Sequence, residues 1–177
     1  MEDQVIYVMI LGDNGVGKSA IVVQWIQKIF LKVHDVTLQD SYRKAIDNCM
    51  IDILDTGTSP IGEISINQTN VFILCYSLAS RFSFESVKED YIELIASNRQ
   101  TKDFSMIIVG NKSDLEEERI ISTSEGKELS EQNNATFLET SACTGENVDL
   151  LFQEVVSKYR ETRLPSSRKK KKKFFFF

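Results

Sequence analysis

The sequence predicts an α/β domain: a mainly parallel six-stranded sheet with one antiparallel edge strand and helices on both faces. Three observations predict it. Short apolar runs alternate with helical patterns, as strand–helix units do. One stretch reads as a hairpin where the others read as crossovers, which adds a single antiparallel strand to parallel ones. The glycines and polar residues that interrupt the pattern fall just after the apolar runs, where such sheets hold ligands. At 177 residues and 42% hydrophobic content, the chain can form one domain with a full core.

The elements follow in order. Val5–Leu11 is an apolar run of strand length, too short to cross a membrane. A glycine-rich turn then leads into a helical pattern over Ala20–Ile29, where Trp25 reads as core or groove packing. The stretch "DSYRKAIDNCMIDIL" reads as two strands around a tight Asp47-Asn48 turn, the second covering Met50–Leu54. Further strands are expected at Val71–Tyr76, Met106–Val109 and Thr136–Leu138. A helix near Phe84–Ala96 places Phe84, Val87, Tyr91, Leu94 and Ile95 on one face, with Ser83 as its N-cap. Ser122 and Glu125 form a capping-box pattern before a helix over Ser124–Gln132. The last helix, Val148–Tyr159, aligns Val148, Leu151, Phe152, Val155 and Tyr159.

Residues 1–163 therefore read as the folded domain and 164–177 as a tail. The tail opens near Pro165 and runs into the low-complexity "SSRKKKKKFFFF". The net charge is −5, but six positive charges lie in Arg168–Lys173, so the remainder carries −11. An acidic body with a basic tail is drawn to anionic surfaces by the tail alone. The three cysteines, Cys49, Cys75 and Cys143, have no metal-ligand spacing, and the first two lie in strand-like runs that predict buried thiols.

"GDNGVGKS", Gly12–Ser19, matches G-x-x-x-x-G-K-[ST] between a strand and a helix, which identifies a phosphate loop and the P-loop NTPase class. Its backbone N–H groups (Asn14, Gly15, Val16, Gly17, Lys18, Ser19, Ala20) wrap phosphate oxygens, and the helix N-terminus adds partial positive charge. Lys18 is expected to reach the β- and γ-phosphates, with the Ser19 hydroxyl on Mg²⁺. "NKSD", Asn111–Asp114, follows another strand. A buried carboxylate at Asp114 accepts from guanine N1–H and N2–H₂, a pair that adenine does not offer. "TSA", Thr140–Ala142, brings a backbone N–H, that of Ala142, toward guanine O6.

With these motifs in this order, the chain resembles a Ras-family small GTPase over about residues 4–163. The phosphate loop, "DT" at 55–56, "NKSD" and "ETSA" stand at roughly the family's spacings. "HDVTLQDSYRK", residues 34–44, is similar to the Ras effector segment. The resemblance implies GTP or GDP with Mg²⁺ as cofactors. It makes Thr37 a magnesium ligand beside Ser19, and has Asp55 hold the metal through water. Phe30 packs on the base, Lys112 covers a ring face, and Asn111, Ser141 and Ala142 complete the base site. Effectors are expected to meet residues 34–44, with Asp40 on an edge strand suited to β-augmentation, and a guanine-nucleotide exchange factor is expected to act on the protein.

Three departures fall on hydrolysis. After Asp-Thr the family pattern is Ala-Gly-Gln, whereas this chain has Gly57-Thr58-Ser59. The glycine that contacts the γ-phosphate is displaced or lost, and Ser59 is too short to hold water and phosphate together. The segment between Asp55 and Val71 is also about three residues shorter than in Ras. Finally, Asn14 replaces a glycine and crowds the space an arginine finger needs, a finger worth ~10³–10⁵ in rate. Ser59-Pro60 is similar to the Rnd-type atypical GTPases, which stay GTP-bound. A rebuilt loop that supplies its own group, such as Glu63, or a partner that does so, is the competing reading. Cys143 stands where the family often has Lys, and His34 replaces a Tyr near the γ-phosphate.

Two functions follow from these expectations. One is a GTPase of the Ras type, slowed by Asn14, Ser59 and the shortened segment after Asp55, the family's second switch, with Lys18, Thr37 and Ser59 nearest the chemistry. The other is a GTP-bound adaptor regulated by expression or membrane location. The expected location is cytoplasmic, peripheral on the cytoplasmic face of the plasma membrane without prenylation, because no Cys follows Cys143 and Glu2 stands where myristoylation needs Gly. Arg168–Phe177 is offered as the contact with an anionic membrane. A nuclear-localisation run, a nucleic-acid patch and a tail read through homopolymer codons compete with it, and no nucleic-acid partner is expected.

Overall fold

The computed structural model describes residues 4–30, 40–56 and 63–163. Strand β1 (Gln4–Leu11) leads into α1 (Lys18–Gln27), and β2 (Asp40–Ile46) and β3 (Cys49–Asp55) form the hairpin. After α2 (Glu63–Gln68) come β4 (Val71–Ser77), α3 (Arg81–Ser86), a π-helical turn (Val87–Tyr91) and α4 (Ile92–Asn98). Strand β5 (Ser105–Asn111), a 3₁₀ turn (Glu116–Glu118), α5 (Thr123–Gln132), β6 (Thr136–Thr140) and α6 (Val148–Arg163) complete it.

The six strands lie in the order β2-β3-β1-β4-β5-β6. All neighbouring pairs are parallel except β2 with β3. The chain moves to one side of β1 to place β3 and to the other to place β4, so the C-terminal end of β1 is a switch point of the sheet. At the hairpin, Asp47 (φ 49°) and Asn48 (φ 61°) are both left-handed. A two-residue I′ turn requires that, and Asp and Asn tolerate it best after glycine. Arg160 of α6 pins the turn by donating to the Asp47 carbonyl at 2.8 Å.

Each face of the sheet has its own apolar layer. On one, α1 and α6 cover Ile6, Val8, Ile10, Ile51, Ile53, Ile73 and Val109, with Trp25 stacked on Phe152 at 3.9 Å and 17°. On the other, α2 to α5 bring Ile66, Phe84, Val87, Ile95 and Leu129 onto Met9, Leu11, Phe72, Leu74 and Ile108. Cys49 and Cys75 are buried thiols, and Cys143 is exposed.

Several boundaries differ from expectation: α6 runs on past Tyr159 to Arg163, and the single helix expected over Phe84–Ala96 is α3, the π-helical turn and α4, from Arg81 to Asn98. The first helix stops at Gln27 rather than Ile29, because Lys28 turns left-handed (φ 59°) and closes the end by donating to the Gln24 carbonyl. The N-cap of α3 is Ser80, not Ser83. The Ser80 hydroxyl accepts the Ser83 N–H, and the Ser83 hydroxyl serves elsewhere, accepting from the Ser77 N–H at 3.0 Å. Helix α2 has no counterpart in the expected pattern, since its six residues are too few to show a period.

Candidate functional site

The site forms where β1, β3 and β5 end. Beyond Leu11 the chain must bend sharply against its neighbours, and glycine alone permits it. A Cβ on Gly12 (φ 148°) would lie 2.1 Å from the Cys75 carbonyl oxygen, and one on Gly17 (φ 102°) 2.3 Å from the Asn111 amide nitrogen. Gly17 also caps α1 without a side chain, and no acidic residue occupies the first turn. The helix therefore presents its N–H groups and positive end bare, as an anion site does.

Lys18 is buried, its ammonium donating to the Gly12 carbonyl at 2.8 Å and the Asp13 carbonyl at 3.1 Å. The loop thus holds a positive charge within its own curve. Beside it, the Ser19 hydroxyl donates to a carboxylate oxygen of Asp55 at 2.5 Å, and Asp55 is fully buried at the end of β3. The neighbouring Thr56 hydroxyl donates to the Ile10 carbonyl at 3.1 Å and ties this strand end to β1. Beneath the loop, burial pushes the Cys75 thiol up to about 12, against the pull of Lys18 and Lys112, so it stays protonated.

Asn111 joins the phosphate loop to the loop after β6. It is 1% exposed; its amide nitrogen donates to the Val16 carbonyl at 2.8 Å. Its oxygen accepts from the Thr140 hydroxyl at 3.1 Å and the Ala142 N–H at 3.2 Å. Asp114 and Ser141 meet directly, the Ser141 hydroxyl donating to Asp114 at 2.5 Å. Ser141 also organises its own loop, accepting the Gly145 N–H at its carbonyl and the Thr144 N–H at its hydroxyl. Lys112 adopts φ 68° and faces Asp13–Val16, Ser80 and Phe82 across a pocket of about 370 Å³.

Most of the expected site residues thus converge. Asn14, Gly15, Val16, Gly17, Lys18, Ser19 and Ala20 form the loop and first turn. Asp55 reaches Ser19, while Asn111, Lys112, Asp114, Ser141 and Ala142 form the second half. Two details differ from expectation. Asp114 is exposed rather than buried, and the Ala142 N–H is directed at Asn111. Phe30 is 38% exposed just beyond α1. Thr37, Gly57 and Ser59 lie outside the described residues, as do residues 34–39 of the effector segment and all of Arg168–Phe177.

Sequence reasoning gave no role to Asp13, whose carboxylate receives the Tyr91 hydroxyl at 3.1 Å. No local signal pairs residues so far apart in sequence, and only the packing of the π-helical turn brings them together. Among the described residues no group of three or more His, Cys, Asp or Glu could hold a metal. The donor set at Ser19 and Asp55, one hydroxyl and one carboxylate, suits a hard cation that takes further oxygens from phosphate and water. The loop's bare N–H groups and buried lysine suit the phosphate itself. The family model that matches this chain, over residues 7–161, is that of the Ras family.

Proposed function

The chain belongs to the Ras family, and from that membership we propose a guanine-nucleotide switch whose own GTP hydrolysis is slow. Small GTP-binding proteins of this family use GTP and GDP with Mg²⁺. The observation that carries the reading here is Asn111, which holds the Val16 carbonyl of the phosphate loop and the Ala142 N–H of the base loop on one buried amide. Phosphate recognition and base recognition are thereby parts of a single site.

Each half has a definite task. The glycine-shaped loop and the N-terminus of α1 bind phosphate oxygens, and Lys18 supplies a positive charge that the fold already holds inside the loop. Ser19 and Asp55 would hold Mg²⁺ together with Thr37; when bound, the ion neutralises charge that develops on the phosphate oxygens. Asp114 selects guanine by accepting two hydrogen bonds that adenine cannot donate. Ser141 supports it by donating to one carboxylate oxygen.

Slow hydrolysis rests on the sequence. Phosphoryl transfer in this class depends on positioning and electrostatics, and Gly57-Thr58-Ser59 replaces the residues that position water. Asn14, exposed on the loop beside the 370 Å³ pocket, favours a second reading, a mostly GTP-bound adaptor, because it occupies the side from which an arginine would enter. Effectors are assigned to residues 34–44, and a guanine-nucleotide exchange factor is expected to act on the protein. The protein is placed at the cytoplasmic face of the plasma membrane, held peripherally through Arg168–Phe177. No helix among the described residues is long and apolar enough to cross a membrane.

The test is to denature purified protein, identify the released nucleotide, and then follow single-turnover phosphate release. Guanine nucleotide is expected, with release slower than the intrinsic Ras rate of about 10⁻⁴ s⁻¹. Nearly pure GTP selects the adaptor, and a mixture rich in GDP selects the slow enzyme. Adenine nucleotide overturns the base assignment, and release at or above the Ras rate overturns the impairment.

A further inference from the structure

The phosphate loop is held from outside the nucleotide site by one side chain. Asp13 lies in the loop, and one oxygen of its carboxylate is buried without a hydrogen-bond partner among the described residues. The other oxygen accepts a single hydrogen bond, from the Tyr91 hydroxyl at 3.1 Å. Tyr91 closes the π-helical turn Val87–Tyr91, where the Ile92 N–H donates to the Val87 carbonyl five residues back. Such turns interrupt an α-helix at the cost of a less regular ladder and recur where a side chain has a special task. Here the turn carries the tyrosine that reaches the loop.

The backbone of the same aspartate faces the site: its carbonyl accepts from the Lys18 ammonium at 3.1 Å. Asp13 therefore connects helix to lysine, with Tyr91 on its side chain and Lys18 on its main chain. Burial and the adjacent Asp13 push the Tyr91 phenol well above its ordinary range, so the hydroxyl remains a donor throughout the physiological range. A carboxylate deprived of that donor must find another, because leaving it unpaired in a poorly solvated place is costly. The donors nearest along the chain are the N–H groups of its own loop, which the phosphates also need.

We propose that Tyr91 is a positioning residue that holds the Asp13 carboxylate away from the phosphate cradle and so sets how slowly a bound nucleoside diphosphate leaves. This rests on the guanine-nucleotide reading above. Without the hydroxyl, Asp13 becomes an internal competitor for the cradle. With the carboxylate also removed, the competition ends.

Dissociation of a fluorescent GDP analogue from the full chain tests this, using Tyr91→Phe and the double variant Tyr91→Phe/Asp13→Ala. Phe keeps the ring and its packing, and a circular-dichroism melt on each preparation verifies the fold. Tyr91→Phe is expected to release the analogue at least about fivefold faster, the lower end of ordinary coupling between sites. The double variant is expected to return most of the way to the parent rate. The acceleration should persist when excess chelator withdraws magnesium, since Tyr91 acts on the loop and not on the metal. A parent-like rate in Tyr91→Phe overturns the proposal, and so does a double variant as fast as the single one. A purely structural tyrosine would lower the melting point and leave the release rate alone, which also counts against it. If the parent binds no guanine nucleotide, the functional reading fails first and this inference falls with it.

Discussion

At the scale of the residue, Asn111 shows how much one buried amide can organise. Its replacement by Ala removes the partner of the Val16 carbonyl and of the Thr140 hydroxyl and Ala142 N–H. Each buried group left unpaired costs roughly 1–3 kcal/mol, and Asn111→Ala is expected to lose about 2 kcal/mol or more. Urea denaturation reads that loss as a lower midpoint. Guanine-nucleotide affinity should fall at the same time, because phosphate loop and base loop are no longer held in register. A variant of parental stability would mean that the three contacts contribute little. The residue itself was legible in the sequence as part of "NKSD", but its task was not. A four-residue loop tells which groups are present, while the direction of an amide depends on Val16, ninety-five positions earlier. Asp114 makes the same point: the letter was clear and the degree of burial was not. Asp13 and Tyr91 carry no motif at all, and only the sheet and the π-helical turn bring them together.

At the scale of the element, strands are the most legible in the sequence and short helices the least. Apolar runs such as Val71–Ser77, buried at every position, announce themselves because a parallel strand is covered on both faces. The hairpin was equally plain, since Asp47-Asn48 is local turn chemistry. Helix α2 carries no period in its six residues, and the start of α3 is ambiguous in the sequence because Ser80 and Ser83 are both good caps. The capping box expected at Ser122 and Glu125 forms at the start of α5, and its charge ties stability to pH. The Arg81 guanidinium, at 2.6 Å, is the main reason the Glu125 carboxyl is held down to about 2, with Ser122 adding hydrogen bonds from its N–H and hydroxyl. A carboxyl whose folded pKa is depressed contributes stability above its unfolded value, here 4.5. That contribution is lost as pH falls toward the folded value. Glu125→Gln should therefore melt below the parent at pH 7, with the difference shrinking steadily between pH 4.5 and pH 2. Because the pair is exposed to solvent, the difference at pH 7 should be modest and should shrink in high salt as well. A gap that is constant with pH would assign the effect to the cap's shape and not to its charge.

At the scale of the whole molecule, charge and architecture point in one direction. The candidate site lies at the C-terminal ends of β1 and β3, whereas α6 sends Arg160 to the hairpin turn that precedes β3. The tail thus follows a helix that runs to the end of the sheet opposite the site. Arg168–Lys173 brings six positive charges, and the remaining chain carries −11. Each Lys or Arg near an anionic leaflet is worth about 1 kcal/mol, so the run offers up to roughly 6 kcal/mol before screening. The acidic body opposes this, but its repulsion fades beyond a Debye length of about 10 Å at 0.1 M salt. Positive charges that meet the leaflet farther than this from the body would therefore keep most of their attraction. In the proposed anchor Phe174–Phe177 would add apolar insertion, the second signal that stable anchoring needs. Sedimentation with vesicles is expected to show binding to anionic and not to neutral lipid, weakened by salt and abolished by deletion of residues 168–177. Nucleotide release measured on vesicle-bound protein should match that in solution, since the candidate site lies at the end of the sheet opposite the hairpin turn that Arg160 of α6 reaches. Equal binding to both lipids, or binding that survives the deletion, would remove the tail as an anchor.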